Sequence, residues 1–138
     1  WGALLGWAAE MDGLGWAPLI LYVGSILWVI GYDTIYALQD VEDDVLIGVK
    51  STARLFGAQV KPVVALFYAG AVACWLVAGL LAGGGQVFVP LLIVPSLILA
   101  WQVVTLDRNK PDNALVRFKS NHWVGLALTL ALLAEFYL

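Results

Sequence analysis

Charge is scarce in this sequence. Only 12% of its 138 residues are Asp, Glu, Lys or Arg, against 62% hydrophobic residues and a mean hydropathy of +0.90. A chain this poor in charge lacks the polar surface that a water-soluble domain needs, so lipid is its solvent over most of its length. A net charge of −3 with seven Lys and Arg gives no basic stripe, which argues against a nucleic-acid partner. Cysteine is nearly absent: Cys74 alone makes no internal disulfide and reads as a small core residue. No stretch alternates strictly between polar and apolar residues, which excludes barrel strands. In lipid the backbone must satisfy its own hydrogen bonds, so the spans are helices and the fold class is all-α, a polytopic transmembrane helix bundle. Residues 1–9 are apolar but too short to span, and they lack the basic start of a signal peptide. They read as the tail of an earlier helix, within a single membrane domain covering 1–138.

Four windows reach the roughly 20 residues that cross a hydrocarbon layer: 17–38, 63–82, 87–106 and 118–138. Lys119, Asn121 and His122 make the last the least apolar at its start. The seven basic residues fall in or beside two connections only: Lys50, Arg54 and Lys61 in loop 39–62, and Arg108, Lys110, Arg117 and Lys119 in and after loop 107–117. The opposite connections carry Glu10 and Asp12, or the uncharged Gly83-Gly84-Gly85-Gln86. The positive-inside rule therefore puts both basic loops on the cytoplasmic side or its topological equivalent. The glycine triplet predicts a tight outer turn, and Pro90 and Pro95 predict a bend in the outer half of the third span.

The first basic loop is the richest in chemistry. Residues 31–44 hold five carboxylates. If the first helix runs on through them, Asp33, Asp40 and Asp44 point within about 20° of one another, whereas Asp43 lies roughly 80° away and Glu42 opposite. Carboxylates one turn apart repel unless a cation joins them, and Mg²⁺ prefers such oxygens and bridges them to phosphates. A carboxylate within a span, as expected for Asp33, marks a functional site by default; solvation of a helix end is the plainer reading, and the better one for Glu42 and Asp43. Six residues on, Lys50 precedes a short helix with Ser51 as N-cap and Gly57 as terminator, and Arg54 lies on it. Acids followed by fixed cations suit a diphosphate leaving group. Topology alone also accounts for bases at this end.

At these residues the sequence resembles the UbiA-type intramembrane prenyltransferases, and within them the branch acting on 4-hydroxybenzoate. The resemblance is carried by Tyr32-Asp-Thr-Ile-Tyr-Ala-Leu-Gln-Asp40-Val-Glu-Asp-Asp44, by Ile47-Gly-Val-Lys-Ser-Thr-Ala53 and by Leu55-Phe-Gly57. Trp1-Gly-Ala-Leu-Leu-Gly-Trp7 and Phe118-Lys-Ser-Asn-His-Trp-Val-Gly125 are similar to the end of the family's fifth helix and the start of its last. The resemblance implies the C-terminal part of a nine-helix fold around a central cavity. It implies metal binding by Asp40 and Asp44 with Asp33 in support, diphosphate binding by Lys50 and Arg54, and Mg²⁺ as cofactor. Polyprenyl diphosphate and 4-hydroxybenzoate are the implied substrates, and Tyr32 and Tyr36 are candidates to shield an allylic cation with their π-faces; ordinary interfacial tyrosines are the alternative. The family's first Asn-Asp-x-x-Asp motif does not occur here, so a missing N-terminal half is an implied partner, and membrane lipid another. The implied location is a bacterial or mitochondrial inner membrane, with the site on the cytoplasmic or matrix side. Two rival readings are a related enzyme with another acceptor and a cation or proton transporter. Transport would use further ionisable groups within spans, and besides Asp33 only Glu135 qualifies.

Overall fold

The computed structural model describes residues 2–40, 46, 48 and 50–138, and every regular element among them is helical. Helix α1 (Gly2–Met11) leads through a short turn to α2 (Trp16–Tyr36). A short helix α3 (Thr52–Phe56) and one 3₁₀ turn run directly into α4 (Val60–Leu81). The third span is made of α5 (Phe88–Leu91) and α6 (Ile93–Thr105), and α7 (Pro111–Lys119) and α8 (Asn121–Tyr137) complete the chain. Three helical runs, 16–36, 52–81 and 88–105, are long and apolar enough to cross a membrane.

The fourth expected span is shorter than its window. Its 17 residues give α8 about 26 Å at 1.5 Å per residue. Residues 111–119, expected largely as loop, instead form α7. Pro111 at the first helical position has a φ suited to helix and no N–H to leave unpaired. Asp112 in the first turn with Arg117 and Lys119 in the last complements the helix dipole.

Helices α2 and α4 form the closest pair and run antiparallel. Gly24 lies against Cys74 and Trp75, and Gly31 against the Tyr68 ring, where an added Cβ would sit 2.5 Å from a ring carbon. Without a hydrophobic drive between helices in lipid, such close backbone approach supplies the packing. Trp75, Val64 and Tyr68 of α4 then enter the core with Ile35, Leu99, Phe88 and Val124.

The turns follow their residue chemistry. Helix α4 ends in a Schellman motif: Gly84 N–H donates to the Gly79 carbonyl (2.9 Å), Gly83 N–H donates to Leu80 (3.1 Å), and Gly83 has φ +84°. The third span breaks at Leu92, as Pro90 and Pro95 predicted, since Pro95 has no N–H for the Leu91 carbonyl. The Glu135 carboxylate of α8 accepts from the backbone N–H groups of Gly85 (3.0 Å), Val87 (2.9 Å) and Phe88 (2.6 Å). It thereby satisfies donors at the start of the broken span. The intramembrane acid that a transport reading would have used is thus engaged in capping a helix.

Candidate active site

The end of the bundle carrying the basic residues collects most of the sequence-predicted groups. Helix α2 stops at Tyr36, and residues 37–40 turn away from its axis. The last bonds tighten, with Leu38 N–H reaching Ile35 (3.1 Å) and Gln39 N–H reaching Tyr36 (3.0 Å). Leu38 is buried by this turn. The expected continuation of the helix through the acidic stretch therefore fails at Asp40, and the angular argument aligning it with Asp33 fails with it. Local periodicity loses here to burial of Leu38 in the core. Asp33 lies on the last turn of α2 and Asp40 on the bend beyond it, both exposed. Asp44, Asp43 and Glu42 lie outside the described residues. Among the described residues no three metal-ligating side chains cluster, but the exposed carboxylates of Asp33 and Asp40 supply the hard oxygen donors that Mg²⁺ takes.

The cationic segment is built as expected, with one difference. Ser51 is at the N-cap and Gly57 at the C-cap with φ 48°, yet the Ser51 side chain makes no capping bond. Lys50, Ser51, Thr52, Arg54 and Leu55 line one open pocket of about 440 Å³. Buried Ala53 anchors the segment to the core. A second tie is polar: the Thr34 hydroxyl, back-bonded to the Ile30 carbonyl (2.7 Å), lies 3.1 Å from the Thr52 hydroxyl. The residue after Asp33 thus touches the residue between Lys50 and Arg54.

Tyr32 and Tyr36 are gathered by Phe118 of α7, with ring centroids 5.8 and 4.7 Å from it. Tyr32 also packs edge-on to Trp28 at 5.5 Å. His122 is exposed, its Nδ1 bonded to the Lys119 carbonyl, which fits a structural residue at a helix start.

Deeper in the bundle is a polar network that sequence reasoning missed. The Tyr68 hydroxyl donates to Gln102 Oε1 (2.7 Å), and Gln102 Nε2 donates to Ser120 Oγ (2.9 Å). Trp28 Nε1 donates to Asn121 Oδ1 (2.8 Å), whose Nδ2 reaches the Arg117 and Phe118 carbonyls, both at 3.1 Å. Gln102 is wholly buried. The signal for it was a lone amide inside an apolar window. Nothing in the sequence pairs it with Tyr68, 34 residues away.

Residues 1–132 match the UbiA prenyltransferase family. The chain belongs to this family. Its similarity to curated relatives extends over nearly its whole length. It is 39% identical to the mitochondrial 4-hydroxybenzoate polyprenyltransferase of Caenorhabditis elegans, covering 98% of this chain and 38% of the relative. It is 35% identical to the 4-hydroxybenzoate octaprenyltransferase of Azotobacter vinelandii (99% and 46%). Against the mitochondrial 4-hydroxybenzoate polyprenyltransferase of Aedes aegypti the identity is 40% (96% and 30%). The chain thus spans less than half the length of these UbiA-family relatives. No solved structure matches it. The pocket of Lys50 and Arg54 is tied to the end of α2 through Thr52 and Thr34, the neighbour of Asp33.

Proposed function

We propose that the protein carrying this chain transfers a polyprenyl group from an allylic polyprenyl diphosphate to carbon 3 of 4-hydroxybenzoate, in ubiquinone biosynthesis. What carries the reading is 35–40% identity, over almost all of this chain, to proteins bearing that activity in their names. The geometry supports it, because a cationic pocket is fastened beside the acidic end of a membrane-embedded helix. Lys50 and Arg54 hold the diphosphate, and Asp40 and Asp44, with Asp33 in support, are the residues that would hold Mg²⁺. Bound Mg²⁺ would supply charge neutralisation of the departing diphosphate. The Tyr32, Tyr36 and Phe118 rings offer π-faces to the allylic cation and exclude water from it. The ring carbon ortho to the phenol attacks, the bond to the diphosphate oxygen having broken, and the ring proton is lost to restore aromaticity. The site faces the cytoplasm or the mitochondrial matrix. Because this chain lacks an opposing acidic motif, it is inactive by itself.

The full-length protein, assayed with polyprenyl diphosphate and 4-hydroxybenzoate, is expected to yield the 3-polyprenyl product in a Mg²⁺-dependent manner. Asp40→Asn and Asp44→Asn should each cost about two orders of magnitude or more in kcat, comparable to removing other groups that stabilise developing charge. Product from a different aromatic acceptor only would move the protein to another branch of the family. Turnover indifferent to Mg²⁺ and to both substitutions would end the reading.

A further inference from the structure

Thr34 and Thr52 are placed by different rules. A threonine inside a helix ordinarily satisfies its hydroxyl on the carbonyl four residues back, as Thr34 does on Ile30 and Thr129 does on Gly125. That bond explains why Thr34 tolerates complete burial. It does not explain why a second hydroxyl, from a segment 18 residues further on, closes to 3.1 Å. The contact joins the two chemically opposite parts of the site, since Thr34 follows Asp33 and Thr52 stands between Lys50 and Arg54. A neutral hydroxyl pair fixes their separation and adds no charge.

Building on the proposed function, we infer that Thr34 and Thr52 are positioning residues: their hydroxyl pair sets the cationic pocket at a fixed distance from the acidic end of α2, and thereby tunes affinity for the diphosphate group of the prenyl donor. The pair acts through Lys50 and Arg54 and touches no reacting atom.

The test uses the full-length protein with Mg²⁺ and measures the dissociation constant of a non-ionising allylic thiodiphosphate, together with KM for each substrate and the melting temperature. A hydrogen bond of ordinary net strength predicts that Thr34→Val and Thr52→Val each weaken thiodiphosphate binding about fivefold. KM for the aromatic acceptor should stay unchanged, and the melting temperature should fall by no more than the loss of one hydrogen bond costs. Because the two hydroxyls are one device, the double variant should be no weaker than either single one, and Thr34→Ser should restore binding. Thr129→Val, which removes a back-bonded hydroxyl elsewhere, is the control and should be silent. Unchanged thiodiphosphate affinity in the valine variants, or multiplying effects in the double variant, would overturn the inference. So would a loss of affinity matched by equal changes in acceptor KM and a melting temperature falling further than that, the signature of general loosening. Failure of the wild type to prenylate 4-hydroxybenzoate would strike the acceptor assignment instead, because the binding measurement needs no acceptor.

Discussion

Single side chains in this protein divide between those that tolerate exchange and those held by geometry. Gly31 belongs to the second kind, since any Cβ there meets the Tyr68 ring. Gly31→Val should cost about 1–3 kcal/mol by overpacking, read as a lower melting temperature in lipid nanodiscs; an unchanged value would mean that α2 and α4 pack less closely than described. Glu135 is held by three backbone donors. Glu135→Ala should destabilise by about 1.5–3 kcal/mol, the range for hydrogen bonds to a charged acceptor, and Glu135→Gln, with one acceptor oxygen retained, by less. Equal behaviour of the two variants in thermal unfolding would contradict the capping role. Asp107, in the second basic connection, accepts from the Asn109 N–H (3.1 Å) and lies beside Lys110, and these hold its carboxyl below the usual 3.8. A depressed folded pKa means that the contribution is present above the ordinary value and is lost as pH falls through the folded one. The Asn109 amide resonance should accordingly titrate with a midpoint below 3.8, and Asp107→Asn should abolish that titration.

Between elements, polar groups do what hydrophobicity cannot do in lipid. Tyr68, Gln102, Asn121 and Trp28 link α4, α6, α8 and α2, each bond closing between residues far apart in sequence. Interhelical bonds of this kind are individually modest, about 0.6 kcal/mol on average and up to about 1.7. A double-mutant cycle of Gln102→Leu and Tyr68→Phe should give a coupling of that size in unfolding from nanodiscs; zero coupling would reduce the network to coincidence. The same elements support a topological expectation. Cysteines at Gln59 and Asn109 should react with an impermeant thiol reagent from the cytoplasmic side and one at Gly84 from the other. Labelling of Gly84 and Gln59 from one face would overturn the alternation of spans.

On the scale of the whole molecule, α2 presents an exposed stripe of Trp16, Leu19, Val23 and Ile26 that continues to exposed Asp33. Two or three carboxylates anchor only one side of a metal–diphosphate cluster, whose several negative charges call for groups on the facing side. The chain alone, purified in lipid with its helical content verified, should therefore show no prenyl transfer, and co-expression with an N-terminal half should restore it. Robust turnover by the chain alone would make the acidic end described here a complete site.

Much of this was legible in the residues. Hydropathy located three spans and the core of the fourth helix, because lipid forces backbone satisfaction within each segment whatever its neighbours. The glycine triplet, Pro90 and Pro95 acted as predicted, since their backbone restrictions are local. The short helix ending at Gly57 was legible for the same reason. The end of α2 was not: periodicity carried the helix on to Asp44, but burying Leu38 and Ala53 against the core turned the chain after Tyr36, and no local pattern encodes that competition. Helix α7 was obscured because topology and composition treated its basic residues as loop. Glu135 was, besides Asp33, the one ionisable group within a span that a transport reading could use, and the fold brings three N–H donors to it from some 50 residues away. The hydroxyl pair of Thr34 and Thr52 and the amide pair of Gln102 and Asn121 are likewise products of tertiary packing. Each of these polar groups could satisfy itself locally in an isolated helix, and only the juxtaposition of helices decided which partner it took.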